Sequence, residues 1–172
     1  YFAEEITPVT VPGGKAGPVV VDKDEHPRPE TTLEGLSKLR PIVRNPGTVT
    51  AGNASGVNDG AAAMILASED AVKKHGLTPR AKILGLASAA VAPRVMGIGP
   101  AFAIPLALQR AGLTLKDMDI IEINEAFATQ VLGCLAIMKI DFKDPRVNPN
   151  AGALAIGHTL GAPGARLAVP LP

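Results

Sequence analysis

The 172-residue chain predicts an α/β layered fold, and three observations carry that expectation. Short apolar runs alternate with longer segments of helical spacing through the second half, the pattern of strands feeding helices. The clearest helical segment, SEDAVKKHGL, has its own start and stop: Ser68 as N-cap, acids in the first turn, Lys73, Lys74 and His75 in the last, and Gly76 to end it. Hydrophobic residues make up 47% and charged residues 19%, which suits a packed core. Aromatics are only 3% with no Trp, so Ala, Val, Leu and Ile must build that core.

The elements follow in order. Residues 1–30 read as loop with one short strand, PVVVD, at 18–22, and TTLEGLSKLRP as a short helix ended by Pro41. The Gly- and Asn-rich TVTAGNASGVNDG, 48–60, is a polar loop, and the apolar AAAMILAS, 61–68, a buried strand. After the 68–77 helix, AKILGLASAAV, 81–91, predicts a strand, and PAFAIPLALQRAG, 100–112, a helix with Pro105 awkward in its interior. DIIEIN, 119–124, reads as a strand, EAFATQVLGCLAIM, 125–138, as a helix, and ALAIG, 153–157, as a short strand. GAPGARLAV begins a last helix, opening near residue 160 and stopped by Pro170 and Pro172.

Seventeen basic against sixteen acidic residues leave a net charge of +1, which offers no case for nucleic acid or an anionic membrane surface. No apolar run approaches the roughly 18 residues of a membrane span. The opening YFAEEITPVTVP lacks a signal peptide's basic start and apolar stretch, and no Met precedes it. The expectation is a cytoplasmic chain with further sequence upstream. The single cysteine, Cys134, excludes an intrachain disulfide framework.

Candidate chemistry gathers at two places. Asn124 is the first polar residue after the apolar run DIIEI, and His158 stands just past ALAIG. Both would occupy carboxyl ends of strands, where open α/β folds place ligand sites. A lone His in apolar company is more often a core residue, but two polar groups at one sheet edge bring the readings level. The glycines at 157, 161 and 164 clear space around it. TAGNASGVNDG offers small residues and the Ser55 hydroxyl, although its text alone reads as an ordinary surface loop lacking a P-loop pattern. His75 reads as a helix terminus. His26, among Asp24, Glu25 and Glu30, lacks a His or Cys partner at metal-ligand spacing. Cys134 lies mid-helix beside Leu132 and Leu135, as a buried inert thiol would. No metal site is expected.

Taken in order, AGNASGVNDGAA, VMGIGP, IEINEAFATQ and NPNAGALAIGHTLGAPGAR strongly resemble the thiolases, most of all the acetyl-CoA acetyltransferase and 3-oxoadipyl-CoA thiolase type. DEHPRPETTLEGLSKLRP resembles the segment just upstream of them in that family. To the α/β expectation the resemblance adds helices packed on a mixed sheet. The resemblance implies cleavage of a 3-ketoacyl-CoA by CoA, or the reverse Claisen condensation, through a cysteine acyl-enzyme. It implies that His158 activates the nucleophile and helps hold the thioester oxygen, and that Asn124 fixes a water in the oxyanion hole. It places Ala51, Gly52, Ser55 and Val57 on a loop lining coenzyme A, and Met96, Ala126 and Phe127 near the pantetheine. Coenzyme A and acyl-CoA enter as substrates with no covalently bound cofactor, and the complete protein would be a homodimer or homotetramer.

The departures carry as much. A thiolase is about twice this length, so the resemblance divides the chain into the end of the loop region (1–56), the last strand and helix of the first half (57–79) and a truncated second half (80–172). Neither catalytic cysteine of the family has a counterpart, since Cys134 lies on the helix after NEAF. Thr159 replaces Pro and Pro163 replaces Ser in the GHPLGASGAR pattern, and Ala151 replaces Gly in NxNGG. Two functions follow. One is a segment of an acyltransferase whose cysteines lie elsewhere. The other is a non-catalytic CoA-binding remnant or an assembly partner of a full-length thiolase.

Overall fold

A computed structural model describes residues 3, 5–169 and 171. The organising unit is a core where Ile121 and Ile123 meet Val131, Leu135 and Ile140, with Ile104, Leu115 and Val147 packed around it. Its geometry follows from spacing. Helix α4, Ala128–Met138, turns Val131, Cys134, Leu135 and Met138 to one side, the i, i+3, i+4, i+7 stripe of an amphipathic helix. Ile121 and Ile123 alternate inward from an extended segment, while Ile120 faces solvent. Helix α3, Pro100–Ala111, packs beside α4 and runs unbroken through Pro105, ending on the left-handed Gly112. A 3-10 segment, Pro93–Ile98, packs on both helices.

Arg146 ties the loops around that core. Its Nη1 donates to the carbonyls of Leu115 (3.0 Å) and Met118 (2.9 Å), and its Nη2 to Asp144 at 2.7 Å. The Arg146 guanidinium holds the Asp144 carboxyl down at about 2.

The amino-terminal part is thinner. Strands β1, Val9–Val11, and β2, Val19–Val21, form an exposed antiparallel hairpin with Val9 opposite Val21. The sequence pointed to β2 alone, because β1 (VTV) is shorter than any pattern reads. Helix α1 is Leu33–Ser37, with Thr32 as its cap. Helix α2, Glu69–His75, starts and stops as predicted: the Ser68 hydroxyl accepts the Ala71 N–H, and Gly76 takes the left-handed conformation.

Several predicted strands take another form. Residues 61–68 and 81–91 form no strand, and their large apolar side chains are exposed, save the half-buried Val91. Residues 119–124 are extended but make one parallel bridge, Ile121 to Val147. ALAIG is a helical turn, α5 at Ala153–Ile156, since four apolar residues fit a helix as readily as a strand. The last helix, α6, starts at Pro163 rather than near 160 and runs to Ala168. Pro170 and Pro172 lie outside the described residues. The α/β class holds, with its helices better developed than its sheet. Among the described residues no helix is long and apolar enough to cross a membrane.

Candidate functional site

Three stretches distant in sequence meet at residues 53–58. The Ser55 N–H and hydroxyl both donate to the Ala126 carbonyl, at 3.0 and 2.9 Å, and Ala54 bridges Phe127. The Ala128 N–H, left free by the start of α4, donates to the Asn53 carbonyl at 2.9 Å. A few residues on, Val57 forms a parallel bridge with His158: His158 N–H donates to the Gly56 carbonyl, and Asn58 N–H to the His158 carbonyl, both at 3.1 Å. This segment is therefore no free surface loop. It stitches the turn after Asn124 to the turn holding His158.

Asn124 Oδ1 and His158 Nδ1 are buried and have no hydrogen-bond partner among the described residues. An orphaned buried polar atom is costly, so such groups are ordinarily paired. Val57 and Phe127, within the seam, and Met96 are exposed apolar side chains. Met96 adjoins Gly97, whose Cα faces Gln130 in the first turn of α4.

The geometry also sorts the other candidates. Ser55 spends its hydroxyl hydrogen on Ala126, so it can accept but not donate to a ligand in this arrangement. Ala51 and Gly52 sit in a turn closed by Thr50 and Asn53, with Leu36 of α1 packed on Gly52. Cys134 is fully buried, with Sγ 3.5 Å from the Gly97 carbonyl. His75 ends α2, far in sequence from the seam. His26 lies against the site after all, its Nε2 3.3 Å from the Leu154 carbonyl and its ring over Gly56. Among the described residues no three metal-ligating side chains cluster.

Sequence reasoning passed over the groups that hold the seam in place. The Asn58 side chain accepts from the His158 N–H at 3.2 Å. Gly157, at φ 98°, leaves room for it: a Cβ there would lie 2.5 Å from Asn58 Oδ1. Glu125 and Asn148 were visible only as letters of longer motifs. Glu122, behind the seam, lines a cavity of about 20 Å³ with Arg166 and Ala151. Burial pushes its carboxyl up, and the Arg166 charge opposes that only in part.

The family model described as thiolase, C-terminal domain, matches residues 77–171, and that for the N-terminal domain matches residues 1–70. The chain belongs to the thiolase family. It is 59% identical over 167 residues to a β-ketoadipyl-CoA thiolase of Pseudomonas aeruginosa, covering 97% of this chain and 41% of that protein. The crystal structure of the Bacillus anthracis acetyl-CoA acetyltransferase superposes with a TM-score of 0.88 at 46% identity, across 98% of this chain and 42% of that one. Human mitochondrial 3-ketoacyl-CoA thiolase in complex with CoA matches with a TM-score of 0.76 at 49% identity, across 86% and 37%. The chain thus has the thiolase fold over a stretch that spans about two fifths of the relatives it matches.

Proposed function

We propose that this chain is the His- and Asn-bearing part of a thiolase, an acyltransferase that cleaves a 3-ketoacyl-CoA with CoA or runs the reverse condensation through a cysteine acyl-enzyme. The observation that carries it is the seam: residues 53–58 bind the Asn124 turn and the His158 turn at adjacent positions, and each holds a buried polar atom with no hydrogen-bond partner among the described residues. In this reading His158 takes the proton from the attacking thiol and helps hold the thioester oxygen, while Asn124 fixes a water in that oxyanion hole. Ala51, Gly52, Ser55 and Val57 line the coenzyme, with Met96, Ala126 and Phe127 beside the pantetheine. The similarity to β-ketoadipyl-CoA thiolases favours a 3-oxoadipyl-CoA substrate.

The chain's one cysteine is buried and engaged, so the nucleophile belongs to polypeptide outside these 172 residues. We place the boundary between the two family halves at 79/80, beside the family-model limits, and the complete protein in the cytoplasm as a homo-oligomer. The buried cysteine also supports the rival reading, a non-catalytic CoA-binding chain or an assembly partner of a full-length thiolase.

Calorimetric titration with CoA and an acetoacetyl-CoA thiolysis assay test these readings. The expected result is CoA binding weakened at least tenfold by Val57→Glu, with no turnover until the cysteine-bearing amino-terminal part of a thiolase is added. Turnover by the chain alone would sink the assignment of the nucleophile. Absence of CoA binding would sink the site. Binding without turnover, even when that part is supplied and shown to associate, would establish the rival.

A further inference from the structure

Asn124 and His158 lie 34 positions apart on loops that share no helix or strand, so their relative placement needs a cause beyond the 53–58 segment. Two side chains supply one. Asn148, at φ 46°, donates its own N–H to the Ile121 carbonyl at 2.9 Å. Its carboxamide then acts as one more peptide unit: Oδ1 accepts the Ile123 N–H at 2.8 Å, and Nδ2 donates to the Ile123 carbonyl at 2.9 Å. The same Nδ2 reaches Glu125 Oε1 at 2.8 Å. The other oxygen of Glu125 accepts the Leu154 N–H at 3.1 Å, in the turn that leads to His158 four residues later. One carboxylate therefore spans from the residue after Asn124 to the approach of His158.

Gly152 corroborates this. Its backbone, at φ −130° and ψ −165°, is extended and open to any residue, so conformation does not demand glycine there. Space does. A Cβ at 152 would fall 2.2 Å from the Glu125 carboxyl carbon and 2.3 and 2.6 Å from its two oxygens. The loop is shaped around that carboxylate.

We propose that Glu125 is a positioning residue, whose carboxylate, braced by Asn148 and seated over Gly152, couples the Asn124 turn to the His158 turn so that both polar atoms face one ligand. The proposal rests on the reading of Asn124 and His158 given above. Both oxygens of Glu125 are engaged by the protein. Glu125→Gln keeps the shape but turns an NH₂ toward one of two donors, so one arm of the coupling is lost. Gly152→Ala leaves the backbone allowed and displaces the carboxylate by contact.

The test follows the Asn124 side-chain amide and the His158 imidazole by ¹⁵N NMR in the 172-residue chain, with thermal unfolding alongside. Glu125→Gln and Gly152→Ala are each expected to move both signals. Ser68→Ala, which removes the cap of α2 and touches none of these groups, should leave both in place. Adding Gly152→Ala to Glu125→Ala should lower the midpoint by less than half of what it does in wild type, because the clashing group is gone. If Glu125→Ala does not fold, the two single variants decide. His158 and Asn124 signals that stay fixed in Glu125→Gln and Gly152→Ala, or additive midpoint losses in the double variant, would overturn the proposal. A CoA titration of the wild type separates the two ideas: lack of binding refutes the CoA reading, whereas fixed signals refute the positioning role whether or not CoA binds.

Discussion

Residues 93–169 and residues 61–91 are similarly apolar, yet the first region shed water and the second did not. Leu135 is 2% exposed and Ile123 3%, whereas Ile65 is 90% exposed and Leu86 72%. The difference lies in how each backbone is satisfied. Helices α3 and α4 close their own hydrogen bonds and need only a neighbour for one face. An extended segment must find its donors and acceptors on adjacent strands. Residues 119–124 found one bridge at Val147 and the Asn148 side chain, and Ile121 and Ile123 were buried. Residues 61–68 and 81–91 found no strand partner among the described residues. Apolar spacing marks what can be buried, and only lateral partners make a strand bury it.

Truncation on the two sides should break apart accordingly. Leu135→Ala, at the centre of the core, is expected to cost about 2–5 kcal/mol. Ile65→Ser should fall within about 0.5 kcal/mol of wild type. Urea unfolding of the two variants is the measurement, and equal losses would mean that 61–68 is packed in solution. The exposed segments should also drive self-association, so sedimentation of Ile65→Ser with Leu86→Ser should shift toward monomer.

Acid sharpens the contrast within the core region. Arg146 depresses the Asp144 carboxyl from the ordinary value to about 2, so this pair stabilises the fold above the unfolded-state value near 3.8. That contribution is lost as pH falls through the folded value. Glu122 runs the other way: its raised carboxyl binds a proton more readily when folded, so its contribution fades as pH rises above the ordinary 4.5. Melting midpoints from pH 6 to 3 should therefore fall less steeply in Asp144→Asn than in wild type. Glu122→Gln should gain on wild type as pH rises through that range. Parallel curves for Asp144→Asn and wild type would show that Arg146 is held by its carbonyl contacts alone.

What could be read in advance divides along the same line. Helix α2 was legible down to its Ser68 cap and Gly76 stop, because caps are local chemistry. Helix α4 was legible from its stripe. The α/β class was legible from alternation, but 61–68 and 81–91 were not, since their fate depends on partners that spacing cannot name. ALAIG was misread because four apolar residues carry no period. At the site, the thiolase-like motifs singled out His158 and Asn124, and the structure joins their turns through 53–58. Glu125, Asn58 and Gly152 went unread because their role is spatial: each matters through a group 23 to 100 positions away. A glycine with an ordinary extended φ has no sequence signature of the carboxylate it accommodates.

An effect well below that of the core truncation lies at the join between core and site. Ala151, which stands where the family pattern has Gly, adopts φ 67°, a left-handed conformation that costs an L side chain about 1–2 kcal/mol. Its N–H donates to the Asn148 carbonyl at 3.1 Å, so the turn is held despite that cost. Ala151→Gly relieves the strain but gives the unfolded chain more freedom, worth about 0.5–1 kcal/mol in the opposite sense. The net expectation is a gain of about 0.5–1 kcal/mol by urea unfolding. Because Ala151 also lines the cavity beside Glu122 and Arg166, its methyl has a second role to lose. A stability loss in Ala151→Gly would mean that this contact outweighs the strain, and that the turn before Gly152 is fixed by packing rather than by its backbone.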